Sequence, residues 1–396
     1  METTNRYGGR PDLKLTVTDV IPHVLFGGRT NLIFVEVTTD AGITGIGEAS
    51  LEGKTEAVVG AINDVKGYLI GRDPTLIEHH WQTIYRHSFW RGGVVIGSAI
   101  SGIEQALWDI LGKALAVPVY ELLGGRVRDR VRLYANGPRG ESPEEIAESC
   151  AQLVEAGWRA LKLSPFGAVP GVAGQTEVRA ARHQMRLIRD AVGPAVDVLI
   201  DCHGRLSPAA AIQMAEALDE YDIFFFEEPV LPEDPAAMAH VAATITIPVA
   251  TGERLFTKWG FRDILALGAA HILQPDLAHC GGIWEGRKIA AAAEISAVDV
   301  APHNPYSWLL TMASVQLDLA IPNFSIQEFL VDHPPDVERL FANPFTWQAG
   351  GWVDPPASPG LGIELDWDAV HAHEQLPYDR TYQPSLWHVD GSVADW

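Results

Sequence analysis

Three acidic residues recur at a fixed interval: Asp201, Glu227 and Glu253 follow one another 26 residues apart. Each closes a short apolar run: Asp197 to Ile200, Ile223 to Phe226, and Ile247 to Gly252. That interval is about the length of one strand plus one crossover helix. The spacing therefore predicts three carboxylates leaving three successive parallel strands at the same end. Three oxygen ligands on adjacent strands, with room left for water and substrate, suit a hard octahedral ion such as Mg²⁺. An acid in such a place can also simply cap the helix that follows. Three in register point instead to a metal.

Groups able to move protons stand beside them. His203 lies two residues beyond Asp201, so on a continuing strand it shares the lumen face and can act as acid or base. His303 ends a seventh strand in Ala301-Pro302-His303, and Asp276, in Gln274-Pro275-Asp276, leaves the neighbouring one. An aspartate bonded to a histidine fixes its tautomer and raises its basicity, which suits a general base. Lys162, at the end of the second strand, can bind a substrate carboxylate, assist proton transfer or pair with a site acid. Glu328, on the eighth, can bond a substrate carboxylate when protonated or brace another residue. Glu228 has the opposite strand parity to Glu227 and is expected to face away from the lumen, as is Cys202 beside Asp201. Gly281-Gly282 open a helix at a place where backbone amides can approach an anion.

The elements that must position these groups alternate. From Val131 onward, strand candidates end near Asn136, Lys162, Asp201, Glu227, Gly252, Gln274, Pro302 and Glu328, with helical stretches between them. Eight such units specify a (β/α) TIM-type barrel, with chemistry at the carboxyl ends of its strands. Before it, Leu13 to Asp19, Asn31 to Thr39 and Ile43 to Glu48 form an antiparallel meander, followed by helical segments from Thr55 to Ala116. The chain thus divides into an α+β domain over 1–125, the barrel over 126–335 and a segment over 336–396, rich in Pro, Gly and Trp, that packs back on the first domain. Ser142, Pro143 and Glu145 mark a helix start.

A chain of 396 residues accommodates a barrel and a second domain. Its net charge of −22 argues against nucleic acid or an anionic membrane surface as partner. A polar N-terminus without a signal-peptide core, and no apolar run of membrane-spanning length, make it cytoplasmic by expectation. Three cysteines, Cys150, Cys202 and Cys280, fit reduced thiols.

Asp201, Glu227-Glu228-Pro229, Gly252-Glu253-Arg254, Gln274-Pro275-Asp276 with Gly281-Gly282, and Ala301-Pro302-His303 together resemble the motif set of the enolase superfamily, mandelate racemase subgroup. The resemblance runs over nearly the whole chain. The stretches YLIGRDP, YRHSFWRGG, DCHGR and FFFEEPV are most similar to galactonate dehydratases and close acid-sugar dehydratases. It implies one Mg²⁺ per subunit on Asp201, Glu227 and Glu253, His303 with Asp276 as base, and His203 as acid. The base and Mg²⁺ assignment is that of a known superfamily pattern. It further implies a homo-oligomer, often octameric, acting on a small acid sugar. The first domain, completed by the C-terminal segment, would cap the barrel mouth, so that His23, Arg29 and Glu52 in the loops His23 to Thr30 and Ser50 to Thr55 touch the far end of the sugar. One departure stands out: the racemase pattern has a second lysine two residues after Lys162, where this chain has Ser164, which disfavours 1,1-proton transfer. The reaction implied is Mg²⁺-dependent dehydration of a galactonate-like aldonic acid to a 2-keto-3-deoxy acid. Its rivals are dehydration of gluconate or mannonate, cycloisomerisation of an anhydro-aldonate or aldaro-lactone, a metal-dependent aldolase and a non-catalytic barrel.

Overall fold

A computed structural model describes residues 13–376 other than 88 and 170, together with 387, 388 and 390–395. The N-terminal stretch read above for a signal sequence lies outside them, save Leu13 and Lys14. The first domain opens with three antiparallel strands in the order β1 (Val17–Phe26), β2 (Asn31–Thr39) and β3 (Thr44–Glu48). Here the sequence reading needs its first correction: β1 begins later and runs straight through Pro22 to Phe26. It is an edge strand paired only with β2, and an edge strand tolerates a residue that has no N–H to donate. His23 therefore sits in a strand with its side chain buried, and not in a loop.

Helices Thr55–Val65, Ile77–His87 and Val94–Leu115 complete this domain. The last of them packs along β2 and β3. Contrary to expectation it is long and apolar enough to cross a membrane, but 78% of its most apolar window is buried inside the fold. Its all-round hydrophobicity is that of a core helix.

Eight parallel strands follow: β4 (Val131–Asn136), β5 (Ala160–Leu163), β6 (Asp197–Asp201), β7 (Ile223–Glu227), β8 (Val249–Thr251), β9 (Ile272–Leu273), β10 (Asp299–Val300) and β11 (Gln327–Leu330). Each pairs with the next from β4 to β10, and β11 returns to pair with β4. The ring closes between β10 and β11: Val300 bridges Phe324, and its N–H donates to the Asn323 carbonyl at 2.7 Å. A separate apolar cluster confirms closure, because it takes one buried residue from each strand or its end: Tyr134, Ala160, Leu199, Phe225, Ala250, Ile272, Ala301 and Ile326. That layered interior is what a packed barrel requires. The helix at Pro143–Glu155 starts as expected, with the Ser142 hydroxyl accepting from the Glu145 N–H.

The C-terminal segment touches both domains. A short strand β12 (Trp352–Val353) adds antiparallel to β4, the Leu361 N–H donates to Asp109 of the first domain, and helix Trp367–His373 lies on β1.

One side chain ties the two domains at Gly281-Gly282. The amides there do meet an acceptor, but the protein supplies it: Glu104, its pKa pushed up to about 8 by burial, accepts from the Ile283 N–H at 2.7 Å, the Trp284 N–H at 2.8 Å and the Trp108 indole at 2.7 Å. The backbone approach depends on glycine, since a Cβ on Gly282 would fall 2.0 Å from Glu104 Oε2. Glu104→Ala strands three donors, each worth about 1–3 kcal/mol when left unpaired in the interior. Urea unfolding is expected to show a loss of about 3 kcal/mol or more. A loss near zero would mean that the seam does not need this cap.

Candidate active site

The site is one step above the apolar ring. Two residues beyond each ring member, on the same face of the same strand, stand Asn136, Lys162, Asp201, Glu227, Gly252, Gln274, His303 and Glu328. The period of two thus finds seven polar residues at the strand ends or just past them, of which Asn136, Lys162, Asp201 and His303 line the cavity. The eighth position is glycine, and the chain uses it to turn. Gly252 has φ +146°, and a Cβ there would lie 2.8 Å from Phe261 Cε1 and 2.9 Å from the Gln274 nitrogen. The turn brings Glu253, the next residue, into the gap.

Asp201, Glu227 and Glu253 converge there, each offering an oxygen within 4.8 Å of the others. They are not in register as the spacing predicted. Asp201 pairs directly with Glu227, but Glu227 pairs with Ala250, so Glu253 lies three residues farther along. Only the Gly252 turn compensates. Gly252→Ala is expected to cost about 1–3 kcal/mol of stability through backbone strain. It should also weaken the hold of the three acids on any divalent ion they take up, measured as the metal-induced rise in unfolding temperature. Unchanged binding would show that Glu253 is placed by other contacts.

Lys162 is buried among the acids. Its Nζ lies 3.0 Å from Glu227 Oε2, 2.8 Å from Glu328 Oε1 and 3.5 Å from Asp201 Oδ2, beneath the face of Tyr134. Burial lowers its pKa, but Glu227 and Glu328 outweigh that and hold the ammonium charged. Glu328 also accepts from Asn136 Nδ2 at 2.7 Å and from the Asn304 N–H at 2.9 Å. Burial raises its pKa, yet Lys162 and His303 bring it below the usual value, so it braces its neighbours as a carboxylate. Burial and the neighbouring Asp201 drive Glu227 well up, whereas His203 and Lys162 overcome the burial of Asp201 and bring it to about 2.

His303 stands as expected. Its Nδ1 is 2.7 Å from Asp276 Oδ2, and its Nε2 points into the site, 3.1 Å from Glu253 Oε2. Asp276 is fixed in turn by the Ala278 N–H at 2.6 Å. Burial lowers His303, but Glu253, Glu328 and Asp276 raise it well above an ordinary imidazole. His203 also reaches the mouth, though by a different route from the one expected. β6 ends at Asp201, and His203 adopts left-handed φ +53°, its N–H donating to Asp201 Oδ1 at 2.9 Å and its Nε2 lying 3.2 Å from Oδ2. Burial lowers its pKa and Asp201 only partly offsets this.

Glu228 is not one of the three converging acids, but Glu253 and Asp201 lie near enough to help burial push its pKa up to about 8. At φ +37° it is buried against Arg254, with Nε donating at 2.7 Å. The three cysteines are free and buried.

A cavity of about 320 Å³ opens above these groups, lined by Lys162, Asp201, His203, Glu253 and His303 from the barrel and by Arg29 and Glu52 from the first domain. Glu52 accepts from the Tyr306 hydroxyl at 3.0 Å. His23 is not part of it: its ring bonds Glu36 and Glu374 elsewhere, because β1 carries it into the sheet. Ser164 lines the wall and accepts from Arg205 Nη1 at 2.9 Å, so the position of a second lysine is held by a hydroxyl under an arginine. Asn136 and Gln274 were passed over as site residues. Counting by twos from the ring would have found both.

The geometry has relatives. Residues 21–124 match the model of the mandelate racemase / muconate lactonizing enzyme N-terminal domain, and residues 145–369 that of the enolase C-terminal domain-like family. The chain is 40% identical to the D-galactonate dehydratases of Ralstonia pickettii and Variovorax paradoxus, over 92% of this chain and 96% of theirs. Among solved structures, a member of the enolase superfamily from Salmonella Typhimurium is similar at TM-score 0.85 and 32% identity, covering 90% of this chain and 98% of that one. A mandelate racemase/muconate lactonizing enzyme from Sulfitobacter is similar at TM-score 0.85 and 35% identity, covering 92% and 96%.

Proposed function

The chain belongs to the mandelate racemase and muconate lactonizing enzyme group of the enolase superfamily, and from that premise we propose that it dehydrates an aldonic acid of the galactonate type to a 2-keto-3-deoxy acid. The enzyme is a hydro-lyase. The observation that carries the reading is the barrel mouth itself, where an all-oxygen acid cluster and two histidines on different strands face one cavity. Asp201, Glu227 and Glu253 fit Mg²⁺ by donor chemistry, since hard oxygens alone and an open side suit it. When bound, such an ion supplies positive charge against the anion that builds as an α-proton leaves.

The chain's own residues do the rest. Lys162, already charged, adds a second fixed cation beside the substrate carboxylate. Asp276 orients His303 so that Nε2 faces the cavity; the acids that raise its pKa, Glu253 first, are those whose charge a bound cation would take up, and the neutral imidazole then takes the C2 proton. His203 gives a proton to the C3 hydroxyl as its bond to carbon breaks, so that water departs and the resulting enol becomes the ketone. Arg29 and Glu52, on the wall formed by the first domain, read the distal hydroxyls. A cytoplasmic homo-oligomer is part of the same reading.

The test is a Mg²⁺-dependent screen of mono- and diacid sugars, scored as semicarbazone formation from a new α-keto acid. Turnover of galactonate above gluconate and mannonate is the expected result. Turnover of diacids alone, or products split at a carbon–carbon bond, would overturn it.

A further inference from the structure

A second group of metal-binding side chains lies away from the barrel mouth, where helix Trp367–His373 crosses β1. His23 of β1 and His371 and Glu374 of the helix each offer a ligand atom within 4.8 Å of the others. His371 and Glu374 are three residues apart, so they share one face of the helix turn. The His23 ring is buried, with Nδ1 2.9 Å from Glu374 Oε1 and Nε2 3.0 Å from Glu36 Oε2 on β2. Glu36 thus occupies the place of the carboxylate that usually orients a metal-bound histidine through its other nitrogen. The Trp367 ring covers one side, 5.2 Å from the His23 ring and 5.9 Å from that of His371.

We propose that His23, His371 and Glu374 form a second metal site, selective for a borderline first-row ion such as Zn²⁺ and oriented by Glu36. Two imidazoles and a carboxylate are a Zn²⁺ donor set with one position open to water. The barrel acids, all oxygen, are not. The two sites therefore sort ions by donor softness within one chain. The ion clamps the C-terminal helix to the strand that leads into residues 27–30. His373 already holds that corner, its Nε2 lying 2.9 Å from the Phe26 carbonyl, and Arg29 from the same loop lines the catalytic cavity. A metal here steadies the wall that reads the substrate without touching the reacting atoms.

The experiment uses the full chain, stripped with chelator and returned to excess Mg²⁺ so that the barrel acids are occupied. Zn²⁺ is then titrated calorimetrically and Co²⁺ by its visible absorption. One Zn²⁺ per chain and a rise in unfolding temperature are expected. His371→Ala is the main variant because His371 is exposed and its loss leaves the core intact. It should lose Zn²⁺ affinity by well over tenfold, and Glu36→Gln by about 10–100-fold. Glu227→Gln should still take up Zn²⁺ in full. Failure of the wild type to bind in excess Mg²⁺ would overturn the proposal. Equal binding by His371→Ala and wild type would do the same, as would loss of the Zn²⁺ in Glu227→Gln but not in His371→Ala.

Discussion

His303→Asn lowers kcat by about 10³-fold or more and abolishes exchange of the substrate α-proton with D₂O. The magnitude follows from what a positioned base contributes, about 10²–10⁴-fold. The upper half of that range applies because no other described residue duplicates the dyad of His303 and Asp276, 2.7 Å apart. Asparagine keeps a polar group of similar reach and can still bond Asp276, so the fold and Mg²⁺ binding should survive, which an unchanged metal-induced stabilisation would verify. Exchange is the sharper readout. It reports proton removal alone, whether or not the hydroxyl departs. His203→Asn should therefore separate from His303→Asn, losing dehydration while exchange persists. Exchange retained in His303→Asn would move the base elsewhere, and exchange lost in both would mean that the two histidines act as one unit.

Why the eight strands and most of the mouth could be read from the sequence is a matter of parity. A short apolar strand buried on both faces hides its period, yet its last residue betrays which face is the lumen, because a charged group survives there only at the open end. Lys162, Asp201, Glu227 and Glu328 obey this, each two residues past a ring member. Glu253 and His203 do not. Both reach the site through a single residue at positive φ, Gly252 before one and His203 itself for the other, and counting along a strand is blind to such turns. The expectation succeeded for these two residues while its stated geometry failed. Other misreadings came from contacts between distant segments. The first strand is read as ending at Asp19 although β1, an edge, runs on through Pro22 to Phe26, and Gly281-Gly282 reads as an open anion site unless Glu104, far upstream, is known to fill it. The wall formed by the first domain is the least legible part. His23 and Arg29 are near neighbours in sequence, but one faces the C-terminal helix and the other the cavity.

Glu227→Gln tests the charge arrangement that makes the mouth a metal site, and its expected result has two opposite signs. Asp201, Glu227 and Glu328 crowd around one buried ammonium, Lys162, and Glu253 converges with the first two. Like charges in a low-dielectric setting are costly unless a counter-charge arrives. Removing one should therefore raise the stability of the metal-free protein, because burial and Asp201 already hold the Glu227 carboxyl well above its ordinary range. Lys162 is not stranded by the change, since Glu328 remains 2.8 Å away. The same substitution removes one of the three carboxylates proposed to hold Mg²⁺. Wild type at 100 times its dissociation constant gains about 2.7 kcal/mol from the metal, whereas a variant bound 100-fold more weakly gains well under 1 kcal/mol. Turnover should fall by about 10²–10³-fold or more with the lost charge stabilisation. Lys162→Met is the counter-experiment. It deletes the only lysine that is buried among the described residues and should cost the metal-free protein about 3–5 kcal/mol, a deficit that Mg²⁺ should partly restore. Chemical denaturation with and without chelator separates these cases. If Glu227→Gln were less stable than wild type in chelator, the acids would be balanced by the protein itself, and the case for a resident divalent ion would rest on donor chemistry alone.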